Sequence, residues 1–222
     1  MTILALEFSS PQRSVAVVRP RPGKAAFVTS EVVETGAGGT RALGMIEDAL
    51  RAAGLEREQV EVLAIGLGPG SYTGIRVALS VAQGWQLASR DSGVKLLGVS
   101  SADCVAAQAQ AEKIFGRVTV VIDAQRSEFY LAAYEISNNG RREIEPLRIV
   151  TRAEVESRVN ISEILIGPEV TRWFPNGRTV FPHAAMLGQL ALGRNDFAAG
   201  DKLEPIYLRE TNFVKAPPPK RM

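Results

Sequence analysis

Residues 117–136 read RVTVVIDAQRSEFYLAAYEI. Arg117–Ile122 is a strand rich in β-branched residues, Asp123 an acid at its end, and Gln125, Arg126 and Ser127 a polar turn; Phe129–Ile136 is a second apolar strand. The N-terminus repeats the order. Ile3–Leu6 is a short apolar run, Glu7 the acid, Ser9–Arg13 a polar turn broken by Pro11, and Ser14–Arg19 the returning strand. The two acids lie about 115 residues apart, the period of an internal duplication.

Working outward from both hairpins, the elements continue in step. Ala26–Val33 supplies a third strand of the first copy, so three sequential strands with short connections form an antiparallel meander. A helix follows, with Thr40 as N-cap and Gly54 as stop. Val60–Gly66 is a strand, Gly68–Thr73 a glycine loop and Gly74–Ala88 a second helix. Ser101–Ala111 is helical and links the halves. In the second copy Asn138–Gly140 makes a turn, Pro146–Val150 a third strand, Thr151–Arg158 a helix and Ile164–Gly167 a buried strand. Two copies of βββαβα, each opening on an acid-tipped hairpin, describe an α/β protein with the two-lobed actin-like ATPase fold shared by Hsp70 and sugar kinases. The first lobe spans residues 1–100, and the second spans 101–222 with an extended tail through Pro217, Pro218 and Pro219.

Composition removes several classes of function. The 222 residues, 45% of them apolar and 23% charged, support a real core. There is no uninterrupted apolar run of about 18 residues, so no membrane helix is expected. Met1–Ser10 has no basic region and reaches Glu7 early, unlike a signal peptide. A single cysteine, Cys104, fits a reducing compartment, and the cytoplasm is the expected location. The net charge is +2, and the basic residues fall in small groups: Arg19, Arg21 and Lys24; Arg141 and Arg142; Lys220 and Arg221. A chain that binds nucleic acid by itself shows a concentrated basic face, which these groups do not make. The one histidine, His183, reads as a helix-entry residue, so neither a histidine-based metal site nor a Ser-His-Asp triad can be assembled. Cys104 sits on an apolar helical stretch as a buried structural cysteine. No catalytic residue, metal or cofactor is expected.

The segment Gly66–Arg76 (GLGPGSYTGIR) lies between a strand and a helix and lacks the lysine of a P-loop. Two readings stay open: free amides of Gly70–Gly74 with Arg76 hold an anion, or the glycines permit a tight turn and close packing. The helix after it is apolar nearly all round, apart from a stripe of Arg76, Ser80 and Gln83, so something covers its second side. The preceding helix has a second stripe of mostly small residues. Together they define an expected partner interface of Ala42, Met45, Ala49, Ala52, Tyr72, Ile75, Ala78, Leu79 and Ala82. The cover is the other half of the chain or a partner protein. On the partner reading, Ala49→Glu or Ala82→Arg breaks the assembly and leaves the chain folded.

LGPGSYTGIRVALSVAQG (Leu67–Gly84) closely resembles the signature of the TsaB/YeaZ family. ILALEFSS at the N-terminus, VIDAQRSEFY (Val121–Tyr130) and PIYLR (Pro205–Arg209) resemble three further motifs of that family in the same order. The resemblance implies the actin-like fold and a non-catalytic role in making threonylcarbamoyladenosine on tRNA. It implies that the chain binds and activates a catalytic TsaD-type paralogue, which holds the metal, through the helices Thr40–Gly54 and Gly74–Ala88. A TsaE-type ATPase is a further implied partner, tRNA is met only through the complex, and no membrane is involved. An apolar two-helix surface makes a homodimer the expected form when the partner is absent. The chain departs from the family at Glu7, where aspartate is more usual, and at Gly39-Thr40-Arg41. The alternative reading is an actin-like ATPase or small-molecule kinase, with Glu7, Gly70, Thr73 and Asp123 around a magnesium–nucleotide.

Overall fold

The computed structural model describes residues 1–21, 24–36, 41–88, 93–159 and 163–208. Thr40 as a cap, the Gly39-Thr40 departure, Arg209 and the proline-rich tail lie outside the described residues.

The first sheet begins as the expected meander: β1 (Ile3–Glu7), β2 (Gln12–Arg21) and β3 (Lys24–Thr35) are antiparallel neighbours. β4 (Val62–Gly66) then runs parallel to β1, and β5 (Lys95–Val99) parallel to β4. The strand order is β3-β2-β1-β4-β5. The second sheet contains β6 (Gly116–Asp123), β7 (Glu128–Ser137), β8 (Gly140–Thr151), β9 (Ile164–Gly167) and β10 (Arg178–Thr179). Its order, β10-β9-β6-β7-β8, is that of the first sheet element for element. The duplication is thus real, and each copy carries one strand more than the sequence reading gave it. β5 was missed because KLLGV is a short run buried by parallel pairing, with no alternation to mark it. The edge strand β8 starts six residues before the expected Pro146, and an edge tolerates a proline.

The helices are α1 (Ala42–Ala53), α2 (Tyr72–Ala88), α3 (Ser101–Ala111), α4 (Arg152–Val159), α5 (Val170–Trp173) and α6 (Ala184–Ala191). α1 ends as expected on Gly54, which takes the left-handed conformation (φ 65°) that glycine adopts without steric penalty. Its N-cap residue is Arg41, without a side-chain capping bond. α2 starts at Tyr72, two residues before the expected Gly74.

Packing follows a division at residue 100 for α3 but not for α6. α3 buries Ala102, Val105, Ala106 and Ala109 against Val118, Val120 and Ala132 of the second sheet. α6, although it follows the second sheet, buries Ala184, Leu187 and Ala191 against Ile3, Ala5, Ala16 and Val18 of the first. Gly188 lets that helix approach closely, since a Cβ there would press on Val18. The chain after α6 stays with the first sheet: Ala198 bridges to Leu96, and Leu203 joins the core under α1 and α2. The second half therefore lends α6 to the first sheet.

Candidate functional site: the glycine loop and the outer face of α1 and α2

The glycine loop is folded onto the β1–β2 turn. A Cβ on Gly70 would overlap the Ser9 carbonyl oxygen, and one on Gly74 the Phe8 carbonyl oxygen. The Ser71 amide donates to the Ser9 carbonyl at 2.6 Å, and the Gly68 amide to Ser101 Oγ at 3.1 Å. The Ser101 amide donates back to the Gly68 carbonyl at 2.8 Å, and the Gly74 amide to Ser71 Oγ at 3.2 Å. The glycines admit a backbone, as the packing reading has it, and the amides of Gly68, Ser71 and Gly74 are bonded within the chain.

Glu7 lies beneath the loop, wholly buried. Its Oε1 accepts from the Ser9 amide at 2.7 Å, and its Oε2 from Ser101 Oγ at 2.8 Å. Burial pushes its pKa above the ordinary carboxylate value, against the pull of those two bonds. Asp123, the matching acid of the second hairpin, is half-buried and accepts from the Gln125 amide at 2.7 Å. Thr73 is exposed on the first turn of α2. The four residues of the nucleotide alternative are therefore not gathered round an open site: Glu7 is enclosed, and Gly70 is closed against Ser9. Among the described residues no group of three or more His, Cys, Asp or Glu could hold a metal ion.

His183 is the N-cap residue of α6, as its sequence context indicates. Its Nδ1 lies 3.5 Å from Glu31 Oε1, which raises the imidazole pKa despite partial burial. Cys104 Sγ donates to the His183 carbonyl, and burial pushes its thiol pKa well up, the opposite of an activated nucleophile. A cavity of about 310 Å³ between the halves is lined by Val99, Asp103, Tyr134, Arg141, Glu143, Leu190 and Arg194. Within it the Tyr134 hydroxyl donates to Asp103 at 2.6 Å, and burial and that carboxylate raise its pKa.

The helices α1 and α2 correct the expected interface residue by residue. Ala42, Met45, Ala49, Ile75, Ala78, Leu79 and Ala82 are buried in the chain's own first core. Their small size lets the helices sit close to the sheet; the Ala49 carbonyl even accepts from Ser30 Oγ at 2.7 Å. Only Ala52 and Tyr72 of the nine are exposed. Part of the second side of α2 is covered by the chain itself, because Gln83 Nε2 donates to the Gly200 carbonyl and the Gly200 amide to Gln86 Oε1.

What stays outside is a different apolar face. Leu43 is 66% exposed, Leu87 63% and Tyr72 54%. Between α1 and α2 runs a groove of about 250 Å³ lined by Leu43, Arg57, Ser80, Val81, Gly84, Trp85 and Ala88. The Arg57 guanidinium stands 6.0 Å from the Trp85 ring centroid. The signal that could have found this face was the pair Leu43 and Leu87, large apolar residues outside the stripe that a sheet-facing helix needs.

Comparison with known proteins agrees with this architecture. Residues 39–203 match the family model described as TsaD, tRNA N6-adenosine threonylcarbamoyltransferase. The TsaB protein of Escherichia coli K12, named for tRNA threonylcarbamoyladenosine biosynthesis, is 28% identical over 99% of this chain and 100% of its own length. The TsaB protein of Haemophilus influenzae is 32% identical over 60% of this chain and 53% of its own. A crystal structure of YeaZ from Pseudomonas aeruginosa superposes with a TM-score of 0.74 at 26% identity, covering 93% of this chain and 99% of that one. With a duplicated actin-like fold and a full-length match of this kind, the chain belongs to the TsaB/YeaZ family, within the wider group of TsaD-type proteins.

Proposed function

We propose that this chain is a non-catalytic subunit of the machinery that makes threonylcarbamoyladenosine on tRNA, and that it binds and activates a TsaD-type catalytic paralogue. A role in that pathway is supported by the names of its full-length relatives. The observation that carries the finer reading is the outer face of α1 and α2. Exposed Leu43 and Leu87, with the groove lined by Leu43, Val81 and Trp85, form an apolar surface that the described residues of the chain leave uncovered. The same surface would pair two copies of the chain when the paralogue is absent. A TsaE-type ATPase and tRNA join only through the complex, in the cytoplasm. None of the described helices is long and apolar enough to cross a membrane. Activation follows if the paralogue's competent conformation is favoured by covering this face, since a partner shifts an equilibrium by its differential affinity for the two states.

The test is size-exclusion chromatography with light scattering on the chain, the TsaD-type protein of the same source, and their mixture. A one-to-one complex with modification activity supports the reading. If no complex forms and the TsaD-type protein modifies tRNA equally well without this chain, the reading is wrong.

A further inference from the structure

A segment late in the chain contributes an exposed aromatic cluster to the first turns of α2. Residues 198–207 return across the first sheet as a strap. The Ala198 amide donates to the Leu96 carbonyl at 2.9 Å, Gly200 is held by Gln83 and Gln86, and the Ile206 amide donates to the Leu67 carbonyl at 2.9 Å. This brings Tyr207 onto the first turn of α2, where its ring stacks on Tyr72 with centroids 5.8 Å apart and planes inclined by 24°. The Arg76 guanidinium lies 4.2 Å from the Tyr72 ring centroid and interacts with Tyr207. Yet Tyr207 is 45% exposed, and its neighbour Leu208 41%. Two stacked rings and a guanidinium are thus ordered in advance and left in solvent.

We infer that Tyr207, with Tyr72 and Arg76, is an anchor of the partner face, and that the paralogue meets it with an acidic helix end. The inference rests on the proposed function and adds a strap residue that no reading of α1 and α2 includes. Three observations support it. Tyrosine, tryptophan and arginine concentrate binding energy at interfaces, because a rigid amphipathic ring loses little entropy when covered. The cluster sits on the first turns of α2, and the groove with Trp85 at the other end of the same helix. α2 contains no acidic residue, and Arg76 is its only charge. A surface with that pattern is complementary to carboxylates.

The experiment measures the affinity of the TsaD-type paralogue for the wild-type chain, Tyr207→Ala, Tyr207→Phe, Arg76→Glu and Gly84→Arg. Hydrogen exchange at the Ile206 and Ala198 amides reports whether the strap stays in place. The expected result is a loss of about tenfold or more for Tyr207→Ala and Arg76→Glu, with strap protection unchanged and little loss for Tyr207→Phe. Wild-type affinity should also weaken between about 0.05 and 0.5 M salt. Wild-type affinity for Tyr207→Ala, with Gly84→Arg still blocking the complex, overturns the inference and leaves the proposed function standing. Loss of affinity that appears only with loss of strap protection overturns it too, making Tyr207 a structural residue. Binding of tRNA to the isolated chain that Tyr207→Ala abolishes, with paralogue binding intact, overturns it in favour of a base-stacking platform. Failure of the wild-type pair to associate removes both the inference and the reading beneath it.

Discussion

Ser101 Oγ donates to Glu7 Oε2 at 2.8 Å, which ties the end of β1 to the first residue of α3, a helix that belongs to the other half's core. Asp123, one methylene shorter, accepts from the Gln125 amide, as Glu7 does from the Ser9 amide. In place of a nucleotide-facing acid, the glutamate is a pin between the halves. Its other oxygen holds the Ser9 amide, and the Ser9 carbonyl in turn holds the glycine loop through Ser71.

The pin has a pH signature. Burial raises the folded-state pKa of Glu7 above its unfolded value, so the folded chain binds this proton more tightly than the unfolded chain. Unfolding free energy contributed by Glu7 therefore falls as pH rises from about the ordinary glutamate value through the folded pKa. Several surface carboxylates, Glu61, Glu145 and Glu154 among them, are shifted the other way and mask the total. The difference between wild type and Glu7→Gln isolates it. Urea titrations across this range should show the wild type losing ground to the variant as pH rises; a constant difference would mean that Glu7 is not a strained charge.

Gly74→Ala should destabilise the chain by about 2–4 kcal/mol, although alanine is the better helix former. The added methyl overlaps the Phe8 carbonyl oxygen, and neither backbone can retreat without breaking the Ser71–Ser9 bond. Chemical denaturation measures this directly. Unchanged stability would show that the loop is not packed on the hairpin.

The repeat was legible because each copy announces itself locally. β-branched runs, turn residues at Ser9–Arg13 and Gln125–Ser127, and an acid at each strand end are signals carried within some twenty residues. The crossing of α6 to the first sheet was not. AAMLGQLA shows that α6 is apolar, and nothing in it says which sheet it covers. The interface erred for a related reason. α1 has apolar residues on two adjoining flanks, and choosing the outer one requires knowing where the sheet lies. The sheet takes Ala42, Met45, Ile46, Ala49 and Leu50, which leaves Leu43 to the solvent. Tyr207 could not be placed at all, because its contact with Tyr72 spans most of the chain.

Burial decides what a charge does on α1 and α2. Ala49→Glu and Ala82→Arg put a charge where the side chain has no exposure and no partner, and each should cost at least about 3 kcal/mol and yield little folded protein. Gly84→Arg is the proper probe of the groove, since a Cβ there meets nothing within 4 Å. It also replaces a helix-interior glycine, so stability should rise by roughly 0.5–1 kcal/mol. Thermal melts and light scattering separate the outcomes: a folded Gly84→Arg chain that still forms a full-affinity complex would place the partner elsewhere.

His183 provides a second, opposite titration. Its Nδ1 faces Glu31 Oε1, which also accepts from the Ala185 amide at 3.0 Å, while Ser14 Oγ accepts from the Ala184 amide at 2.8 Å. Glu31 and Ser14 thus fasten the start of α6 to the first sheet, and the imidazolium strengthens the junction. Because Glu31 raises the folded-state pKa above the unfolded value of about 6.5, the stabilisation is fully present below that pH. It is lost as pH rises through the folded pKa. The pair is partly open to solvent, so the effect should be roughly 0.5–1 kcal/mol. His183→Gln keeps a hydrogen-bonding side chain and cannot titrate, so its stability should approach that of wild type at alkaline pH and fall below it at pH values under about 6. Equal stability of the two proteins on both sides of the titration would show that the Glu31 contact carries no charge-dependent energy.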